Sequence, residues 1–367
     1  MPPAIAGTAE AGEGPPPGVR GPVAWLRRNL FSNVFDTTLT LLLGAALLAV
    51  VPKLFAWAFL DSVWTAGDPA QCRDIAGACW AVIAEKHRVI LFGTYRYDQQ
   101  WRGVAVIALV VVLSGASMVR RLWPWPMAAA WLVAFPTVIV LMRGGVLGLV
   151  PVPTTEWGGL PLTIILFLGS VVGGLPLAVL LALGRRSKMP VIRALCVGFI
   201  EITRGVPLLT VLFMASMMMP LFLPASWTVD QVLRATLGMA LFFAAYAAEI
   251  VRGGLQAIPR GQFEAAGSLG LGYWRTTLLI VLPQALRIVL PPLVSDIIRA
   301  FKNTSVVLIL GLFDLLGATS AALSDPLWTN YYAEAYLVVA AIYFAFCYAM
   351  SRYGQSLERR LNARRNF

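Results

Sequence analysis

The chain has 367 residues, of which 59% are hydrophobic and only 13% charged, where a soluble domain carries about 25% charged residues. So much apolar surface escapes aggregation only against lipid, which excludes a water-soluble globular protein and makes this an integral membrane chain. The net charge of +11 does not point to nucleic acid, because the basic residues stand in short clusters beside apolar runs, where they face anionic headgroups.

Residues 1–30 begin with a Pro-, Gly- and Ala-rich stretch that has no apolar run. It reads as a disordered cytoplasmic tail and not as a cleavable signal. A membrane-spanning helix needs about 20 apolar residues, and eight segments qualify. The first covers about Phe35 to Leu60, with Pro52 and Lys53 weakening its far end. A polar loop over 61–100 follows. It holds Cys72 and Cys79, whose spacing fits no metal site and leaves a disulfide open, since spacing does not fix bond geometry. The second segment covers about Gly103 to Val119 and the third about Trp123 to Met142. The fourth covers about Leu160 to Leu183, the fifth about Val206 to Phe222 and the sixth about Leu233 to Val251. The seventh is broken, over about Leu278 to Phe301, and the last covers about Ala335 to Ser351. Gly169 and Gly173 have GxxxG spacing, which here reads as ordinary close helix packing. Met214 and Met217 to Met219 make a soft, adaptable patch that reads as core.

Every second connection is basic: Arg27 and Arg28, Arg120 and Arg121, Arg185 to Arg193, Arg252 to Arg275, and Arg352 to Arg365. The positive-inside rule puts these in the cytoplasm, both termini included. There is no phosphate-cradling G-x-x-x-x-G-K-[ST], no C-x-x-C, no H-E-x-x-H, and one histidine, His87. Catalysis by the chain itself is not expected.

The remaining signal is the cytoplasmic loop 258–283. Pro259 suits a first helical turn, Glu264, Ala265 and Ala266 favour helix, and Gly270 and Gly272 interrupt it. A short projecting helix of this kind fits either a groove on a partner or the headgroup layer. The run Glu264-Ala265-Ala266, three residues, Gly270, nine residues, Ile280-x-Leu282-Pro283 resembles the EAA loop of ABC importer permeases. The stretches Glu201 to Leu209, Tyr246 to Gly254 and Lys302 to Ser305 are similar to those of the polar amino acid subfamily. With its N-terminal extension, the whole chain resembles the M subunits of bacterial general L-amino-acid importers.

The resemblance implies an all-α membrane fold with a type I ABC importer permease core of five helices over 155–365. Three extra helices would precede it over 31–150. It also implies residence in the bacterial inner membrane and transport of polar or general L-amino acids. Energy would come from a partner ATPase dimer that carries ATP and Mg, docked on the loop 258–283. A sister permease, with which the chain would form a heterodimer, and a periplasmic amino-acid-binding protein complete the expected set, with no cofactor in this chain. An ion-gradient-driven secondary amino-acid transporter is the alternative, but it predicts inverted halves with paired intramembrane acids.

Ionisable groups inside a membrane default to functional candidates. Glu249 shares a helix face with Arg252 and stands open between the translocation path and a structural pair. Asp296, Arg299 and Lys302 share another face, with Arg204, Arg252 and Arg299 also readable as interfacial anchors. Asn303, Thr304 and Ser305 follow the broken helix, where backbone lines a cavity or is buried in protein.

Overall fold

The computed structural model describes residues 21–65, 69–73, 75–117, 125–146, 148–224 and 226–363. Residues 1–20 of the expected tail lie outside them. Among the described residues there is no strand, only isolated bridges of Val63 with Cys79 and Gly159 with Asp314. The chain divides into two compact units, 1–80 and 81–367.

The first unit holds α1 (Pro22–Asn29) and α2 (Val34–Phe55). Pro22 opens α1, where a missing N–H costs nothing. Asn33 caps α2 by accepting the Asp36 amide at 2.8 Å. No residue of α2 is buried within the chain, so a row of leucines faces outward, as a lipid-facing helix requires. Pro52 does not end it. The helix runs on as a π turn over Ala56–Leu60, in which the Asp61 amide reaches back to the Ala56 carbonyl at 2.9 Å. The loop that follows returns to this end: the Trp80 indole donates to the Ala58 carbonyl at 2.7 Å, and Cys72 and Cys79 form a disulfide with Cα atoms 5.7 Å apart.

The second unit begins with α3 (Ala81–Phe92), inside the stretch read from the sequence as loop. With 12 residues and several charges it is too short to span a bilayer, and so gives no hydropathy signal. Then come α4 (Gln100–Ala116), α5 (Trp125–Arg143) and α6 (Gly159–Arg185). The linker after α6 is also helical, as α7 (Pro190–Gly205). It stops because Val206 precedes Pro207 and is forced extended, at φ −111° and ψ 149°.

The chain continues as α8 (Leu208–Phe213), a π turn over Met214–Met218, and α9 (Met219–Phe222). After α10 (Gln231–Gln256) come α11 (Arg260–Ser268) and α12 (Tyr273–Arg275). A third π turn, Thr276–Val281, leads into α13 (Leu282–Ile288) and α14 (Leu290–Asn303). A 3-10 stretch, Thr304–Leu310, precedes α15 (Leu315–Ala322) and α16 (Tyr332–Ala363).

Among the described residues, five single helices are long and apolar enough to cross a membrane, and two bent pairs raise this to seven. The pairs are Pro190–Gly205 with Leu208–Phe222, bent by 112°, and Tyr273–Ile288 with Leu290–Leu310, bent by 68°. Ala129–Arg143 is a shorter apolar helix, so among the described residues five to seven of the eight segments read from the sequence are long enough to span.

At the centre of the second unit, α6 and α10 pack along most of their length. Glycine permits the approach: a Cβ on Gly174 would sit 2.8 Å from the Ala240 carbonyl oxygen, and one on Gly169 2.5 Å from the Thr236 methyl. The small residues of the GxxxG stretch thus serve packing within this chain. The methionine patch departs from expectation. Met214, Met217 and Met218 are 54%, 50% and 44% exposed, which costs nothing where the surroundings are lipid.

Candidate functional site

Three neighbourhoods hold most of the residues singled out by sequence. The loop 258–283 is one. Pro259 leads into α11, nine residues long, on which Glu264 and Ala265 are exposed and Ala266 is buried against the following chain. Gly270 ends it in the left-handed region at φ +73°. The Leu271 amide donates to the Ala266 carbonyl and the Gly270 amide to the Gly267 carbonyl, each at 3.0 Å. This is a Schellman end, in which a left-handed residue closes the last carbonyls. Space around Gly270 is open, so glycine is required by backbone conformation and not by a neighbour in this chain. Ile280 and Leu282 are half-buried and Pro283 exposed. Gln284 ties the base of the loop by donating to Gln262 at 3.0 Å. The tip presents Leu269, Tyr273 and Trp274, 76%, 60% and 63% exposed.

The second neighbourhood surrounds Glu249 near the end of α10. Its carboxylate accepts from Arg252 Nε and Nη2 at 3.0 and 2.8 Å and pairs with Arg185 of α6 at 2.8 Å. Arg204 of α7 stands 3.8 Å away, and Arg185 also reaches Glu201 at 2.9 Å. The partners this geometry gives Glu249 come from three helices. A half-buried carboxylate among guanidinium groups is tied by charge-assisted hydrogen bonds.

The third is a narrow recess between α6, α8, α10 and α14, walled by Ser170, Leu208, Phe242, Phe243, Arg299 and Asn303. Its free volume of about 10 Å³ is far below the roughly 300–1,000 Å³ usual for small-molecule sites. Of the predicted path residues, Asn303 lines it and Glu249 does not. Arg299 lies in its wall, held by Asp296 Oδ1 at 2.8 Å from Nε and stacked 4.3 Å from the Tyr246 ring centroid. Asp296 is buried, with its Oδ2 lacking a hydrogen bond among the described residues.

Thr304 and Ser305 point elsewhere. Ser305 turns back on the Lys302 carbonyl at 2.9 Å. Thr304 is fully buried and donates to the Phe301 carbonyl at 2.8 Å. Close to Thr304, Tyr343 of α16 donates to Asp314 at 3.1 Å, and Asp314 also caps α15 through the Gly317 amide at 2.9 Å. Thr163 of α6 accepts the Leu315 amide at 3.0 Å. Burial pushes the Asp314 carboxyl up from the usual carboxylate range.

Sequence reasoning missed this buried group, since Asp314 falls between the seventh and eighth apolar segments. Its signal was an acid followed three residues later by Gly317, at the head of an apolar helix. It also missed Tyr246 and Phe242 as the supports of Arg299. The one-turn spacing of Phe242, Tyr246 and Glu249 could have marked them as one face.

Residues 174–363 match the family of binding-protein-dependent transport system inner membrane components. The chain is 47% identical to the inner membrane amino-acid ABC transporter permease protein YhdY of Escherichia coli (strain K12), over 94% of each chain. It is 38% identical to the glutamate/glutamine/aspartate/asparagine transport system permease protein BztC of Rhodobacter capsulatus, over 93% of this chain and 94% of that one. A solved amino acid ABC transporter, crystallised with histidines, is 31% identical over 55% of this chain and 92% of its own, with a TM-score of 0.49. The chain belongs to the binding-protein-dependent transport system inner membrane components, as an amino-acid ABC transporter permease of the inner membrane.

Proposed function

We propose that this permease imports polar or general L-amino acids and is driven by a separate ATPase dimer seated on the loop 258–283. The observation that carries this reading is the loop itself. A nine-residue helix closed by Gly270 projects exposed apolar and aromatic side chains that no other described part of this chain covers, which is the form of an element that enters a partner's groove. Glu264, Ala265, Ala266 and Gly270 build the knob, while Ile280, Leu282 and Pro283 carry it back into the membrane. ATP and Mg belong to the partner.

Both termini and the loop lie in the cytoplasm in this reading, since the basic connections all fall on one side. Residues 155–365 act as the transport core and 31–150 as an extension. The core pairs with a sister permease as a heterodimer and receives substrate from a periplasmic amino-acid-binding protein. The polar wall of the recess, Asn303 and Arg299 with Ser170, offers a cation and hydrogen-bonding groups to a zwitterion or its side chain. A similar permease named for acidic amino acids and their amides supports polar cargo.

Purification of the tagged chain from native membrane in mild detergent tests the partner set. An ATPase is expected to co-purify, and to be lost on Gly270→Val while the chain stays inserted. Recovery of the chain without any nucleotide-hydrolysing companion overturns the reading. The reconstituted complex, assayed with a panel of L-amino acids, then reports which of them stimulate hydrolysis.

A further inference from the structure

Two ionic groups sit on α10 and its neighbours, and among the described residues one aromatic ring touches both. At the loop end, Glu249 gathers Arg185, Arg204 and Arg252. At the recess, Asp296 holds Arg299. Tyr246 lies between them. Arg204 of the first group has its guanidinium carbon 5.5 Å from the Tyr246 centroid, and Arg299 of the second lies 4.3 Å from the same centroid. Among the described residues the Tyr246 hydroxyl reaches only the Arg204 backbone carbonyl, at 3.5 Å, so the ring and not the hydroxyl makes the main contact. Phe242 packs tilted against Tyr246, centroids 4.9 Å apart, and lies 5.6 Å from Arg299, which closes the support from the recess side.

We propose that Tyr246 is a positioning residue that makes the placement of the Arg299 guanidinium in the recess depend on the arginine–glutamate group at the loop end of α10. A guanidinium prefers an aromatic face, and the preference grows where water is scarce. Two guanidinium groups on one ring are therefore not independent. When α7 or α6 shifts and pulls Arg204 from the ring, Arg299 loses part of its seat, and Asp296, with one oxygen already unbonded, is its remaining partner. The substrate-facing cation is then set by the state of the loop end. The inference rests on the recess lying on the substrate path, and it requires a two-state element that both ends bias rather than mere proximity.

The test uses the complete complex in proteoliposomes, with L-glutamate as the transported probe and ATP hydrolysis measured alongside. Tyr246→Leu is expected to assemble with its ATPase and hydrolyse ATP, but to move about tenfold less L-glutamate per ATP, the effect of losing one desolvated cation–π contact. Tyr246→Phe, which keeps the ring, is expected to restore the ratio. A Leu variant with unchanged transport per ATP overturns the inference, and so does a Phe variant as poor as the Leu variant. Should the Leu variant fail to assemble, Arg204→Gln reads the same link. It is expected to shift half-saturation for L-glutamate although residue 204 does not line the recess, and an unshifted value overturns the proposal. A wild-type complex that lacks an ATPase, or does not transport, would instead sink the functional reading above.

Discussion

At Gly270 the chain turns left-handed with φ +73°, and at Gly311 with φ +78°. In both places the next two amides close back on the helix: Leu271 to Ala266 and Gly270 to Gly267 in one, Leu312 to Val307 and Gly311 to Leu308 in the other. Among the described residues, neither glycine has a neighbour where a Cβ would go. The surroundings differ. Around Gly270 the side chains of Glu264, Leu269 and Trp274 stand exposed, whereas around Gly311 Val307, Leu310, Leu312 and Asp314 are buried. One stop sign therefore serves twice. On the loop it shapes a free knob, and at the end of the 3-10 stretch Thr304–Leu310 it precedes a polar group seated inside the fold. The local device says nothing of its use, which comes from what the flanking side chains meet.

The comparison breaks most sharply at the buried end. Asp314→Ala removes the cap of α15 and takes the partner from the Tyr343 hydroxyl. Together these are expected to cost about 2–4 kcal/mol. A melting temperature in nanodiscs equal to wild type would show that the buried group holds nothing.

Breaking the charged group on α10 ranks next. Glu249→Gln leaves Arg185 and Arg252 without their shared carboxylate. A loss of about 1–3 kcal/mol is expected, less than for a fully buried pair because the site is partly open. Thermal unfolding of the purified complex checks it.

Gly270→Ala and Gly311→Ala sharpen the comparison itself. Each places a Cβ in the left-handed region, which costs about 1–2 kcal/mol. Their readouts should separate: Gly270→Ala weakens retention of the ATPase with little change in melting, and Gly311→Ala lowers melting with the ATPase retained. If both variants lose the ATPase equally, the assignment of the two ends is wrong.

The smallest effect is expected at the ion pair of Lys86 on α3 with Asp325, 2.8 Å long and partly exposed, where such pairs contribute little. Lys86 holds the Asp325 carboxyl below its usual range. The pair's contribution is therefore present above the unfolded carboxylate pKa, about 4, and fades as pH falls through the lower folded value. Lys86→Ala should leave melting at pH 7 unchanged. A marked drop would mean that α3 depends on this contact and not on its apolar packing.

Much of the architecture was legible in the residues. Long apolar runs find one stable form in lipid, the helix, because each backbone amide must be satisfied within its own segment. Hence the spans appear where hydropathy places them, and even the break of the seventh, between Ile288 and Leu290, lies inside the segment read as broken. The short helices α3, α7 and α15 were not legible, because packing and charge, not hydropathy, hold them.

The loop motif, with Glu264, Ala265, Ala266 and Gly270, could be read because a glycine stop and helix-forming residues act locally. So could the likeness to amino-acid permeases. Which of the candidate polar residues share a site could not be read from spacing. Glu249 turned to the arginines of α6 and α7, Asn303 to the recess, and Thr304 toward Tyr343. A carboxylate or hydroxyl in a low-dielectric interior takes whichever partner the packed helices bring within about 3 Å. That choice is made between helices distant in sequence, so tertiary structure alone decided it.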